Sequence, residues 1–231
     1  MLSATRMDGH ILAGWMCLPF WLLHVVDGYW KMAFSHGPHI YFWAYDFTKW
    51  IILPTVLLFV LHRLAFVAPR EYGLSADLGK RDILYVLPLP LITLFVVHFI
   101  ASAAVEIVFT PQKAPFDYRS MLSPLGPLRI VGTLYLSATA GIWESIFFIG
   151  LPWLWFSKGR AVSPWGRCAF ALGTAVLFAA GHWENGVSNV IGVLLFQLVA
   201  VYWYFRFATL WPVIGAHFLI DVVFLWPVTK L

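Results

Sequence analysis

The sequence has few charged residues. Lys, Arg, Asp and Glu make up 11% of its 231 residues, whereas a soluble domain of average composition carries about 25%. Hydrophobic side chains make up 61%. This composition excludes an ordinary soluble domain and predicts an integral membrane protein. The net charge of +4 is spread between apolar segments without forming a basic stripe, so the sequence also predicts no nucleic-acid partner.

Cysteine is scarce, and several catalytic motifs are missing. The only two cysteines are Cys17 and Cys168, and neither belongs to a C-x-x-C pair, so we expect no disulfide and no thiolate metal centre. The chain contains no H-E-x-x-H and no G-x-S-x-G, which argues against a metalloprotease of that type and against a serine hydrolase. It shows no internal repeat.

Long apolar segments fill most of the chain. A membrane-spanning helix needs roughly 20 predominantly apolar residues. Seven segments approach or exceed that length, at residues 11–26, 41–61, 83–105, 129–156, 168–183, 187–205 and 208–228. The sequence therefore predicts an all-α integral membrane protein, with about seven transmembrane helices in one bundle and eight as the alternative count. It predicts a single multi-pass domain over residues 1–231.

Basic residues between these segments predict the orientation. With seven spans, nine basic residues fall on the side of the N-terminus and six on the other side. Because basic loops stay in the cytoplasm, we expect the N-terminus to be cytoplasmic. We expect the protein to lie in the cell (inner) membrane, with the lipid bilayer as its surroundings.

A small set of ionisable residues lies deep inside the predicted helices. Charged side chains in such places are costly and are usually functional. The deep set is Glu144, His182, His217 and Asp221. Residues nearer the predicted helix ends form a second tier: His24, Asp46, His98 and Glu106. We expect Glu184 and Asn185 to be solvated at the outer rim of the fifth helix.

The spacing of the deep residues predicts that they meet. His217 and Asp221 are four residues apart and share one helical face. At a rise of about 1.5 Å per residue, Glu144, His182 and His217 all lie half to two thirds of the way across the membrane. A carboxylate and a histidine facing a polar cavity can deprotonate water. A second histidine, backed by Asp221, can hold a developing oxyanion, which together makes a site for amide hydrolysis.

Other functions use the same residue types. Glu, His, His and Asp are also ligands of zinc, so a metal-dependent hydrolase is an alternative, although we expect no metal or other cofactor. Another alternative is a non-catalytic membrane scaffold or a transport-like protein that moves protons. Ser145 follows Glu144 directly and points about 100° away around the helix, so the two do not pair easily.

Three short motifs contain the deep residues: WESIFFIG with Glu144, F-x-x-x-H ending at His182, and H-x-x-x-D from His217 to Asp221. In this order they resemble the CPBP family of intramembrane proteases, which includes the CAAX prenyl endopeptidases and bacteriocin-processing proteins. Its signatures are E-E-x-x-x-R, F-x-x-x-H and H-x-x-x-N or H-x-x-x-D. Here WESIFFIG resembles the first, with Glu144 at the first glutamate. Phe178 and His182 match the second, and His217 and Asp221 match the third. The family-like catalytic core covers about residues 129–228.

The resemblance implies a glutamate-type intramembrane endopeptidase that acts on a membrane-associated peptide or protein. Glu144 and His182 would activate water, and His217 with Asp221 would support the oxyanion. Phe178, Ser145 and Trp143 are predicted to support the site or contact substrate. Two positions depart from the first motif, because Ser145 replaces its second glutamate and Ile149 replaces its arginine.

Overall fold

The computed structural model describes residues 8–35, 39–75, 86–108, 116–122 and 127–226. Seven apolar helices lie in these ranges: α1 (Gly9–Ser35), α2 (His39–Ala65), α3 (Pro88–Val108), α4 (Pro127–Ser157), α5 (Pro164–Ala180), α6 (Val187–Phe207) and α7 (Trp211–Leu225). Short 3-10 turns occur at Pro69–Tyr72, Tyr118–Ser120 and Trp183–Asn185. The described ranges contain no strand, and the prediction of an all-α bundle is confirmed.

Five of the helices, α1, α2, α3, α4 and α6, are long and apolar enough to cross a membrane. The other two, α5 and α7, are shorter apolar helices of 17 and 15 residues. Large apolar side chains remain exposed along the outer surface of the bundle, among them Phe59, Ile100 and Val176. Such a surface suits contact with lipid, and the protein is a multi-pass membrane protein.

Local sequence signals set several helix ends. Ser163 caps α5 by accepting a hydrogen bond from the Gly166 N–H at 3.1 Å, and Pro164 takes the first helical position. At the end of α4, Lys158 and Gly159 both have positive φ, which terminates the helix. Gly186 has φ of 89°, and it turns the chain sharply between the Trp183–Asn185 turn and α6.

The first helix is longer than the predicted span of residues 11–26. It runs from Gly9 to Ser35, because the polar residues that interrupt its apolar pattern do not end it. Asp27 and Lys31 are buried and paired with charges on other elements. Paired charges are tolerated inside a helical bundle, so the helix continues past them.

The fourth helix, α4, is the centre of the bundle. Within its most apolar window 67% of residues are buried, compared with 6% for α3, which lies at the periphery. The first half of α4 packs on α7 and its last turns pack on α1. The α3 helix packs on α6 and α7, and α5 packs on α6.

Alternation of helix direction defines two ends of the bundle. Four helices, α1, α3, α5 and α7, finish at the end where the other three begin. We name this the site end, because the residues of the deep set lie towards it. Contacts across the site end include Lys31 of α1 with Glu184 of the Trp183–Asn185 turn, and the Phe116 N–H with the Glu184 carbonyl at 3.1 Å.

Candidate active site

The backbone around Glu144 departs from regular α-helix. Two π-helical turns, Ala140–Glu144 and Ile146–Gly150, interrupt α4 on either side of Ser145. Insertions of this kind re-aim side chains and occur frequently at functional sites. Glu144 is only 5% exposed and lies in the middle of the most buried helix.

A glycine lets α4 and α7 approach closely beside Glu144. A Cβ on Gly141 would lie 3.1 Å from the Ile214 carbonyl oxygen and 3.2 Å from the Phe218 nitrogen, so the two backbones are nearly in contact. Small residues permit this approach in membrane bundles. As a consequence, Glu144, one turn after Gly141, faces His217 of α7.

His217 lies between two carboxylates. Its Nε2 is 3.6 Å from Glu144 Oε2 and 3.5 Å from Asp221 Oδ2. These distances are slightly longer than a good hydrogen bond, and they hold the three groups in one cluster. The spacing of four residues therefore places Asp221 against His217, as the sequence predicts.

His182 lies in the turn just beyond α5, and its orientation is fixed by one main-chain contact. Its Nδ1 is 2.9 Å from the carbonyl oxygen of Phe178. Because a carbonyl only accepts, Nδ1 carries the proton and Nε2 is left as an acceptor. The Phe178 ring is buried and packs against the His182 ring at a centroid distance of 4.6 Å. The phenylalanine of F-x-x-x-H thus supplies both the carbonyl and the packing surface.

One cavity of about 120 Å³ joins these groups. All four residues of the deep set line it, together with Phe178. Most of the remaining wall is apolar, with a few polar side chains such as Thr139, Asn185 and Asn189. The volume suffices for several water molecules, and the polar lining offers them partners. The predicted convergence of groups from three parts of the chain is therefore seen in the structure.

His24 lies beside Glu144 and His182, although the sequence analysis placed it only among the residues nearer the predicted helix ends. It projects from α1 and is 2% exposed. One ligand atom each of His24, Glu144 and His182 lie within 4.8 Å of one another. The sequence signal was a lone histidine in an apolar helix, with nothing to show that α1 packs against the other two residues. His98, also of the second tier, lines the cavity.

A buried ion-pair network lies at the site end, where Trp50 and Asn185, the chain neighbours of two of its members, line the cavity. Asp27 contacts Lys31 at 2.5 Å and Lys49 at 2.6 Å, and it accepts a 2.6 Å hydrogen bond from Tyr45. Lys31 also reaches Glu184 at 2.6 Å. The four charged side chains, Asp27, Lys31, Lys49 and Glu184, are at most 4% exposed, so each depends on the others for compensation. We name them the α1 ion network.

The expectation that Glu184 is solvated was wrong. Its residue exposure is 0%, because Lys31 of α1 covers it and the Phe116 N–H donates to its main-chain carbonyl. The environment of Glu184 therefore depends on Lys31, which is 153 residues away in the sequence. Asn185 lies next to it and lines the cavity.

Two residues predicted to support the site lie outside the cavity wall. The Ser145 hydroxyl donates to the Gly141 carbonyl in the preceding turn at 2.7 Å, and the residue is buried. Trp143 is partly buried and packs against the main hydrophobic core. Ile149, at the position of the missing arginine, is 1% exposed in apolar surroundings.

Fold and site together define a class: an α-helical membrane protein with a buried cavity that holds a glutamate, histidines and an aspartate. Residues 126–223 match the model of a family described as type II CAAX prenyl endopeptidase Rce1-like. Over these residues the match confirms the predicted resemblance to the CPBP/CAAX protease family. The matched segment contains all three motifs, whereas α1, α2 and α3 lie outside it. No curated protein and no solved structure matches the chain.

Proposed function

We propose that the protein is an intramembrane endopeptidase that hydrolyses a peptide bond of a membrane-associated peptide or protein. The observation that supports this best is the shared cavity, in which Glu144 and His182 face His217 and Asp221 inside the helical bundle. The matched family is one of proteases, which supports the reaction class.

The mechanism follows from the donors and acceptors of the four side chains. Glu144 accepts a proton from water, with His182 Nε2 as a second acceptor, while the water oxygen bonds to the scissile carbonyl carbon. Asp221, 3.5 Å from His217 Nε2, orients the His217 ring before substrate binds, and the Nε2–H then donates to the oxyanion as it forms. When the tetrahedral intermediate collapses, the carbon–nitrogen bond breaks and Glu144 returns its proton to the leaving amine. Overall, one water is consumed and no redox change occurs.

The family description guides the choice of a first substrate. It names a CAAX prenyl endopeptidase, so the first probe is an internally quenched peptide with a prenylated cysteine in a C-terminal CAAX sequence. A second probe with the same peptide sequence and no prenyl group tests whether the lipid is needed. A third quenched peptide, with an apolar helical segment before the scissile bond, tests for a transmembrane substrate.

The test compares purified wild-type protein with two variants, Glu144→Gln and His182→Ala. Both are expected to lose cleavage by about 10²-fold or more while remaining folded. Glu106→Gln is the control, because Glu106 is an exposed glutamate near the same end of the bundle, and we expect normal activity from it. Normal cleavage by Glu144→Gln would exclude this mechanism. Proton flux in vesicles that depends on Glu144, without cleavage of any probe, would favour a transport function instead.

The orientation proposed for the protein has the N-terminus in the cytoplasm. The support is the excess of basic residues on that side, nine against six. The site end then faces away from the cytoplasm, since α1 finishes there. Labelling of a single cysteine placed at Arg119, which lies at the site end, by an impermeant maleimide added to intact cells tests this. Labelling only after cell lysis would contradict it.

A metal-dependent form of the same hydrolysis is a second candidate. One observation favours it, the approach of His24, Glu144 and His182 to within 4.8 Å. Two histidines and a glutamate are a known zinc ligand set in catalytic sites, where the metal activates bound water. Elemental analysis of the purified protein, with activity measured before and after treatment with a strong chelator, separates the two forms.

A further inference from the structure

The imidazole of His24 is buried, and the described part of the chain offers it no hydrogen-bond partner. Its Nδ1 and Nε2 both lack a hydrogen-bond partner among the residues that the structure describes, and only 2% of the residue is exposed. Buried polar groups nearly always have hydrogen-bond partners, since a buried polar group without one destabilises the folded protein. The position of His24 is therefore unfavourable unless a small ligand bridges it to another polar group.

The geometry around His24 fits one water molecule. One ligand atom each of His24, Glu144 and His182 lie within 4.8 Å of one another. If the three separations equal this upper limit, the centre of the triangle is about 2.8 Å from each atom. That is hydrogen-bond distance for water. A water at this position thus reaches all three groups at once.

The hydrogen-bond roles at this water are complementary. Glu144 as a carboxylate only accepts, and His182 accepts through Nε2 because its Nδ1 donates to Phe178. Glu144 and His182 therefore each accept a hydrogen bond from one of the two protons of the water. The third partner must therefore donate to one lone pair of the water, which a neutral His24 does with its N–H. The second lone pair is left for the scissile carbonyl.

Packing holds the His24 ring in this place. It stacks parallel to the Phe178 ring at a centroid distance of 5.9 Å and meets the His182 ring edge-on at 5.1 Å. The ring fits there because residue 181 is glycine, where a Cβ would lie 1.9 Å from His24 Cδ2. The ring is thus fixed on two sides by the F-x-x-x-H segment.

We propose that His24 is a further catalytic residue, which donates a hydrogen bond to the water that Glu144 and His182 activate. The proposal rests on the proposed hydrolytic function. The proton of the water still passes to Glu144, and later to the leaving amine. His24 ends each turnover in its starting state. Its part is to orient the water so that one lone pair points towards the substrate carbonyl. The catalytic centre then extends to α1, beyond the matched residues 126–223.

The first test compares two substitutions of His24, with the most rapidly cleaved quenched peptide as substrate. His24→Phe keeps an aromatic ring for stacking on Phe178 but removes both nitrogens. We expect kcat to fall by about 10²-fold with little change in KM. His24→Gln restores an N–H donor, and we expect it to recover at least tenfold of that loss. His10→Phe is the matched control on the same helix, because His10 lies at the opposite end and contacts the Leu154 carbonyl.

A second readout does not depend on cleavage. Three ligand atoms this close should bind Co²⁺ as a geometric probe, with visible absorption bands typical of a four- or five-coordinate site. We expect wild type and His10→Phe to bind Co²⁺ and His24→Phe to bind at least tenfold more weakly. If His24→Phe fails to fold, His24→Met replaces it in both tests, since it is also apolar and more flexible.

Three outcomes would overturn the proposal. The first is full kcat in a folded apolar variant of His24, and the second is Co²⁺ binding that does not depend on His24. The third is one equivalent of zinc in the purified wild-type protein, because a metal would then occupy the place of the water. Each of these outcomes is compatible with the proposed hydrolytic function, as long as Glu144→Gln abolishes cleavage. Normal cleavage by Glu144→Gln would remove the proposed function itself.

Discussion

Lys31 reaches from α1 to the turn that carries His182 and donates to Glu184 Oε1 over 2.6 Å. Glu184 is two residues beyond His182, so this ion pair ties the position of a candidate catalytic histidine to the first helix. Lys31 is in turn held by Asp27, and Asp27 by Lys49. The whole α1 ion network is buried.

Removal of a single charge from the α1 ion network is expected to destabilise the folded protein. Lys31→Met leaves Glu184 buried without its cation, which should reduce the free energy of unfolding by about 3–5 kcal/mol. The double variant Lys31→Met, Glu184→Gln removes both charges and should recover most of that stability. Thermal unfolding in detergent measures both variants.

The control for this prediction is an exposed ion pair. Arg119 and Asp117 are 3.0 Å apart with about half of each side chain exposed. Arg119→Gln should therefore cost less than about 1 kcal/mol. Equal losses from Lys31→Met and Arg119→Gln would show that the buried network contributes no more than a surface pair.

Two glycines of α5 and its end provide a matched test of the contact with His24. In Gly181→Ala the new Cβ would lie 1.9 Å from His24 Cδ2, so the ring must move. We expect a loss of about 1–3 kcal/mol in stability, together with reduced cleavage. In Gly173→Ala the new Cβ meets no atom of the described residues within 4 Å, so the change should be neutral or stabilising by up to about 1 kcal/mol.

A double-mutant cycle identifies the cause of the Gly181 effect. In Gly181→Ala combined with His24→Ala the clash is absent, so the stability losses of the two single variants should not add. Additive losses would mean that the contact with His24 does not limit residue 181. Unfolding in detergent gives the required free energies.

Asp221 is expected to act by holding the His217 ring. Asp221→Asn keeps an oxygen acceptor in the same place, so we expect it to retain most of the cleavage rate. Asp221→Ala removes the acceptor and should lower kcat by about ten- to hundredfold, which corresponds to about 1.4–2.7 kcal/mol in the activation barrier. Comparison of kcat for the two variants checks this. Equal losses would indicate that the negative charge matters more than the hydrogen bond.

Ser145 is expected to take no part in catalysis. Its hydroxyl is bound to the Gly141 carbonyl in the preceding turn and does not line the cavity. Ser145→Ala should therefore leave kcat unchanged and change stability by no more than about 1 kcal/mol. A large loss of activity in a folded Ser145→Ala protein would bring the hydroxyl into the mechanism.

The sequence predicted those parts of the molecule that depend on local spacing. Apolar segments of sufficient length identified the helices, and the four-residue spacing of His217 and Asp221 placed both on one face. Helical rise then gave Glu144 and His182 similar depths. The catalytic roles of these residues stay predictions, although the structure brings all four to one cavity.

The parts that were missed depend on contacts between distant segments. Spacing within α1 does not show that Asp27 pairs with Lys49 of α2, or that Lys31 pairs with Glu184. For the same reason the polar residues of α1 suggested an early end of that helix. The role of His24 depends on the packing of α1 against the F-x-x-x-H segment, which the sequence of α1 alone does not reveal.

The α1 ion network also has a consequence for how the chain assembles in the membrane. Lys49 follows Asp27 by 22 residues, so this pair can form as soon as α1 and α2 are inserted as a hairpin. Lys31 must wait for Glu184, which is synthesised 153 residues later. Until then, Lys31 shares Asp27 with Lys49 and one of the two cations lacks full compensation. The docking of the His182 turn against α1 thus brings in Glu184, the second anion that the two buried lysines require.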